Sequence, residues 1–247
     1  MAGLSWLTDR PVAHRGLHDA RAGIIENTLS AAQAAIAAGY AIEIDLQAAA
    51  DGTPVVFHDD TLDRLTTATG PVAALGAAEL AAIPLKATSD RIPTFRQLLD
   101  LVAGQTPLVV EVKSDWSGVP ALCERIVADL ETYHGPVAIM SFDPKVVDVL
   151  RRIAPALPRG IVSESYRDWQ EGGTTPWSRF VMRHLLHVWR TKPHFIAYCV
   201  DDLPAVSALL LRWLFGLKLL TWTVRTPEQR ARAERWADQI IFEGFRP

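Results

Sequence analysis

The sequence implies no disulfide framework. Its 247 residues contain two cysteines, Cys123 and Cys199, neither with a Cys or His at metal-ligand spacing, so a buried, reduced thiol is expected at each position. A basic excess is also missing. The formal net charge is −3, which argues against nucleic acid as a partner, because a surface that tracks phosphates needs surplus Lys and Arg. Any phosphate chemistry must be local. The N-terminal stretch MAGLSWLTDRP has no basic run leading into an apolar one, so no secretory signal is read and a cytoplasmic location is expected. The longest apolar run, LPAVSALLLRWLFGLKLLTWTV at 203–224, is broken by Arg212 and Lys218, and Gly216 ahead of Lys218 has the form of a helix end. It is read as a buried helix feeding a strand rather than as a membrane span. The chain also lacks an internal repeat and a low-complexity linker.

Apolar residues make up 49% of the sequence, enough to build one large core, and a single domain over 1–247 is expected. Eight short apolar runs end in polar residues: PVAHRG (11–16), AIEIDLQ (41–47), PLVVEVKS (107–114), VAIMSF (137–142), PRGIVSES (158–165), PHFIAYCVDD (193–202), LKLLTWTV (217–224) and DQIIFEGF (238–245). Between them lie helical patterns such as 26–39, 119–133, 144–155 and 226–237. Eightfold strand-helix alternation predicts an α/β TIM (β/α)8 barrel. An open doubly wound sheet is the alternative, but the turn after the first strand has no glycine-rich phosphate loop.

The run PVVFHDD (54–60) breaks the alternation, because only AAADGT separates it from the second strand. No crossover helix fits there, so an Asp51-Gly52 turn should fold the run back as an antiparallel hairpin. With the turn centred on those two residues, His58 falls opposite Asp45. A small insertion over about 60–95 then precedes the third barrel strand, with helices expected in LGAAELAAIPL and TFRQLLDLV.

Chemistry gathers at the ends of these strands. Glu43 and Asp45 are two apart on a strand and so share one face, the barrel interior; Glu111 and Lys113 repeat the pattern. Three carboxylates converging on one rim repel unless a cation joins them, and an all-oxygen donor set suits a hard divalent metal, Mg²⁺ or Ca²⁺. His14 ends the first strand and His58 ends the hairpin, a pair able to divide base and acid work. Arg15 and Lys113 supply charge for an anionic group, and Gly16 is read as allowing close approach. Together these describe metal-assisted displacement at phosphorus. Glu26 and Asn27 open a helix and fit a capping role as well as a site role.

The elements AHRG, ENTLSAAQAAIAAGYAIEIDLQAAADGTPVVFHDDTLDRLTTATG, VVEVK, MSF and TWTV occur in this order along essentially the whole chain. In this the sequence resembles the glycerophosphodiester phosphodiesterase family, barrels related to phosphatidylinositol-specific phospholipases C. The resemblance implies hydrolysis of a small-molecule glycerophosphodiester to sn-glycerol 3-phosphate and an alcohol. It implies His14 and His58 as the acid-base pair, Glu43, Asp45 and Glu111 as ligands of the divalent metal, Arg15 and Lys113 as the phosphate-holding groups, and Glu26 and Asn27 in support. Attack by the substrate's own glycerol 2-hydroxyl is favoured over attack by water, because two opposed imidazoles suit a base-then-acid exchange. One departure is at the last strand, where members often carry TD.P and this chain has FEGFRP, with Glu243 in the acid's place. The alternatives are a lysophospholipase D or C-type lipid phosphodiesterase and a non-catalytic phosphodiester-binding barrel.

The segment WSRFVMRHLLHVWRTK (177–192) mixes aromatics with Arg179, Arg183, Arg190 and Lys192. Peripheral membrane contact is one reading. An ordinary outer barrel helix with a solvated basic face is the favoured one.

Overall fold

The computed structural model describes residues 4–167 and 174–247, so the start of the N-terminal stretch lies outside it. The strands are β1 (Val12–Ala13), β2 (Ala41–Ala48), β3 (Pro54–Val56), β4 (Leu108–Val112), β5 (Val137–Ser141), β6 (Arg159–Ser163), β7 (Phe195–Cys199), β8 (Lys218–Val224) and β9 (Gln239–Phe242). Their hydrogen-bonded order is β1-β9-β8-β7-β6-β5-β4-β2, with β1 also paired to β2. The order closes on itself, and β3 is added outside it. This is the expected TIM barrel, with helices between its strands.

The helices are α1 (Leu29–Ala38), α2 (Ala77–Ala82), α3 (Phe95–Val102), α4 (Pro120–Leu130), α5 (Pro144–Ile153), α6 (Pro176–Arg183), α7 (Val188–Thr191), α8 (Val206–Phe215) and α9 (Pro227–Trp236). Their starts are written in the sequence. Thr28, Thr94 and Thr226 each accept a hydrogen bond from a backbone N–H of the first turn, and Asp143 does the same ahead of Pro144. In α3 the buried set Phe95, Leu98, Leu99 and Val102 has the spacing of one helix face.

The chain divides into two compact units. One comprises Ala13–Lys113 with Pro120–Val137. In it the insertion carries its own small core, Leu62, Val72, Leu80, Leu85 and Ile92 packed with Val55 and Phe57 of the hairpin. The other comprises Met1–Val12, Ser114–Val119 and Ala138–Pro247. There Val147, Ile161, Leu185, Val188, Ile196, Tyr198, Leu209 and Leu219 form a core between helices and strands.

Three expectations need correction. First, 177–192 is two helices: Leu185 takes φ +55 and its side chain is buried in the core, so the chain turns there and the helix cannot run through. Second, the helix in 203–224 forms, ends at Gly216 in the left-handed conformation and feeds β8, yet it is not a buried helix. Only Ala208 and Leu209 are buried, while Val206, Leu210, Trp213, Leu214 and Phe215 are exposed. Third, Cys123 is buried but Cys199 is only partly so.

His187, between α6 and α7, has both ring nitrogens out of solvent with no hydrogen-bond partner, and burial pushes its pKa down to about 4. Below the ordinary value of 6.5 the unfolded chain takes up a proton that the folded chain refuses until about pH 4. Stability therefore falls as pH drops through that window, by up to about 3 kcal/mol. His187→Leu is expected to remove this fall, read as the difference in urea midpoint between variant and wild type across pH 7 to 4.

Candidate active site

Every residue that the sequence singles out for catalysis, substrate or metal lies in the unit formed by Ala13–Lys113 and Pro120–Val137. At the end of β1 the backbone turns sharply, with Arg15 at φ +55 and Gly16 at φ +79. The Gly16 N–H donates to the Glu43 carbonyl at 3.0 Å. A Cβ at position 16 would meet Ala31 of α1 at 2.8 Å, so the close approach that requires glycine is to a helix rather than to a substrate. The turn leaves His14 with Nε2 3.9 Å from Glu43 Oε2, and the Arg15 N–H donates to that same oxygen at 2.9 Å.

Strand alternation then concentrates negative charge. Glu43 and Asp45 project to one face of β2, and the parallel register sets Asp45 beside Glu111 of β4. Glu43 and Asp45 are 1% exposed and Glu111 8%, and one oxygen from each lies within 4.8 Å of the others. Lys113 Nζ lies 3.0 Å from Asp45 and donates to Glu111 at 2.6 Å. Burial, and then the charges of Asp45 and Glu111, push Glu43 well above the usual carboxylate range. Burial would raise Asp45 too, but Lys113, His58 and Arg15 hold it well below.

Asn27 and Glu26 do not cap α1; Thr28 does. Asn27, at φ +58, grips Asp45 twice, donating from Nδ2 at 2.8 Å and accepting from the Asp45 N–H at 3.1 Å. Glu26 accepts from Arg15 Nη1 at 2.6 Å.

The hairpin register differs by one residue from expectation. Leu46 pairs with Val56 and Gln47 with Val55, so Phe57, whose N–H donates to the Asp45 carbonyl at 3.1 Å, stands opposite Asp45. The loop has three residues, Ala50 to Gly52, because Gly52 takes φ +77 and the Ala49 N–H pairs with the Thr53 carbonyl at 3.0 Å. A tight turn followed by a left-handed glycine adds the extra residue.

His58 therefore stands beyond the ladder and needs support of its own. Gln47 Nε2 donates to the carbonyls on either side of it, Phe57 at 2.9 Å and Asp59 at 2.8 Å. His58 Nδ1 lies 2.8 Å from Asp59 Oδ1. Against partial burial, Arg64 and His58 hold the Asp59 carboxyl down to about 2, so it is ionised, can only accept, and fixes the proton on Nδ1. Arg64 then bridges Asp59 (2.6 Å from Nε) and Glu26 (2.7 Å from Nη2), closing a chain from His58 to Arg15. Asp59, Arg64 and Gln47 escaped the sequence reading. Their signal was the immediate neighbourhood of His58, HDDTLDR, and the third inward position of β2.

Glu243, the residue in place of the family's acid, pairs with Arg225 at 2.8 Å in the other unit.

The glycerophosphoryl diester phosphodiesterase family profile matches residues 14–243. The chain belongs to that family, whose members are hydrolytic enzymes. A glycerophosphodiester phosphodiesterase of Caldanaerobacter subterraneus subsp. tengcongensis is 28% identical over 235 residues, covering 90% of this chain and 88% of the relative. Human glycerophosphodiester phosphodiesterase 1 is 26% identical, covering 90% and 74%. Among solved structures, a phosphodiesterase of Oleispira antarctica in complex with the product sn-glycerol-3-phosphate shares the fold at a TM-score of 0.77 and 20% identity, covering 94% and 91%.

A divalent ion fits the donor set on charge as well as on chemistry. With all five ionised, Glu26, Glu43, Asp45, Asp59 and Glu111 outnumber Arg15, Arg64 and Lys113 by two, and it is Glu43 whose ionisation burial and this excess oppose. Removing one of these carboxylates is expected to help the metal-free protein. Glu43→Gln keeps the acceptor for the Arg15 N–H and should stabilise the metal-free chain by about 1–2 kcal/mol, while abolishing the stabilisation given by added Mg²⁺ or Ca²⁺. Thermal unfolding with chelator and with each ion checks both signs.

Proposed function

We propose that this protein hydrolyses glycerophosphodiesters to sn-glycerol 3-phosphate and an alcohol by acid-base catalysis between His14 and His58, assisted by a divalent metal, Mg²⁺ or Ca²⁺. The observation that carries the proposal is the buried trio Glu43, Asp45 and Glu111, within 4.8 Å, in one unit with both histidines. The activity of the bacterial and human relatives and the product held by the Oleispira protein support the same substrate class.

A divalent ion held by the three carboxylates supplies positive charge to the phosphoryl oxygens when bound. Arg15 and Lys113 add fixed charge for those oxygens, Arg15 being aimed by Glu26 and Lys113 by Glu111. One imidazole takes the proton of the attacking glycerol 2-hydroxyl, the phosphorus–oxygen bond to the alcohol breaks, and the other imidazole gives its proton to the departing oxygen. Water then opens the cyclic phosphate with the two roles exchanged. His58, with its proton fixed on Nδ1 by Asp59, offers Nε2 for either duty.

The decisive assay is release of sn-glycerol 3-phosphate from glycerophosphocholine and glycerophosphoethanolamine with Mg²⁺, Ca²⁺ or chelator. Metal-dependent release is expected, falling by about 10²–10⁴ in His14→Ala and in His58→Ala, with a cyclic glycerophosphate trapped early in the reaction. No release with either metal overturns the reading. Choline released from lysophosphatidylcholine would then mark a lysophospholipase D, phosphocholine a C-type enzyme, and ligand binding without turnover a phosphodiester-binding barrel. Asp59→Asn, which cannot hold the proton on Nδ1 as a carboxylate does, is expected to lower kcat about 10- to 100-fold with KM little changed.

A further inference from the structure

The exposed apolar surface of this chain is concentrated rather than scattered. Among the described residues, the exposed large hydrophobic side chains fall, with Ile153 the exception, in two segments: the α6–α7 stretch and α8. Trp177 is 69% exposed, Trp189 68%, Trp213 62% and Leu214 70%. The two segments form one face, because the Trp189 and Phe215 rings meet edge to face at 5.2 Å. The face is held firmly. The Arg183 carbonyl at the end of α6 accepts from Tyr198 Oη at 3.0 Å and from Ser207 Oγ at 3.4 Å, which ties α6 to β7 and α8. Solvated helices do not turn three tryptophans outward, since such patches on soluble proteins mark interaction sites.

Charge names the occupant. No Asp or Glu occurs from 174 to 200 or from 203 to 227, in a chain whose net charge is −3. Arg190 and Lys192 are exposed on α7 and just after it. The acid near Arg190, Asp148 at 3.7 Å, is already held by Arg151 at 2.9 Å. Arg212 is neutralised by Asp238 at 2.7 Å and adds nothing. Arg190 shares Asp148 with Arg151 and Arg152, so an aromatic face edged with cations in excess of their acid complements an anionic lipid interface, where indole rings settle at headgroup depth. It does not complement a second copy of itself, whose like charges would be brought together.

We propose that the face built by α6, α7 and α8 docks on the interface of a bilayer containing anionic phospholipid, with Trp177, Trp189 and Trp213 entering the headgroup layer and Arg190 and Lys192 on lipid phosphates. This goes beyond the catalytic reading and does not rest on it. It reverses the solvated-helix reading of 177–192, because that segment is joined by the exposed face of a helix that the sequence alone places in the core.

The test is flotation of the full chain with vesicles of phosphatidylcholine alone and of phosphatidylcholine with phosphatidylglycerol, at low and high salt. The wild type is expected to float with the anionic vesicles and to be released by salt. Arg190→Glu with Lys192→Glu should cut partitioning at least about fivefold per neutralised cation, and Trp189→Ser with Trp213→Ser should abolish it. Unchanged thermal midpoints show that both variants fold. Absence of wild-type flotation at low salt, or variants that float as well as wild type, would overturn the proposal. So would a wild-type dimer at micromolar concentration that the tryptophan variant dissociates, since a second copy would then own the face.

Discussion

Three carboxylates forced into contact on adjacent strands are the constraint around which one half of this molecule is organised. Two-residue alternation makes Glu43 and Asp45 neighbours on one face, and a parallel register adds Glu111 beside Asp45. None of them can turn away, because the opposite face of each strand is apolar core. The surrounding residues answer this charge. The Arg15 N–H and Lys113 Nζ reach the carboxylates directly, and Asn27 fixes Asp45 from both its backbone and its side chain. The answer is incomplete, and the excess of carboxylate oxygen that remains is a donor set suited to a hard divalent cation.

His58 illustrates a second level of dependence. It sits outside the β-ladder, where nothing in strand pairing fixes its ring, so its position comes from Gln47 gripping the backbone and Asp59 gripping the imidazole. Arg64 extends that hold to Glu26 and thus to Arg15. The insertion that follows Asp59 and carries Arg64 is anchored by its own apolar cluster against the hairpin. An imidazole on one element and a guanidinium on another are thereby kept in one network of hydrogen bonds. Packing of the insertion core thereby bears on where the His58 ring sits as well as on stability.

The strands, their polar ends and the shared face of Glu43 and Asp45 were legible in the sequence, because period-2 alternation and inward charge at strand ends are local signals. The hairpin register was not, since it turns on a single left-handed residue, Gly52, that lengthens the loop by one. Asn27 could not be assigned between cap and site because the residue beside it, Thr28, is an equally good cap, and only the fold shows which one α1 uses. The break at Leu185 and the exposure of α8 share one reason. Apolar content tells that a helix will shun water, but not whether it is this chain or something else that covers it.

That ambiguity reflects how the charge of the chain is distributed. A net charge of −3 conceals a site where five acidic side chains face three basic ones and, elsewhere, two stretches without an acid, 174–200 and 203–227, parted by Asp201 and Asp202. Each departs from what stability alone would select. Replacing a buried carboxylate by an amide or an exposed tryptophan by serine would ease folding or solubility, and neither change would disturb the barrel core. The two features differ in sign: buried carboxylates whose oxygens suit a hard cation, and an aromatic face with basic edges whose charge complements an anionic surface.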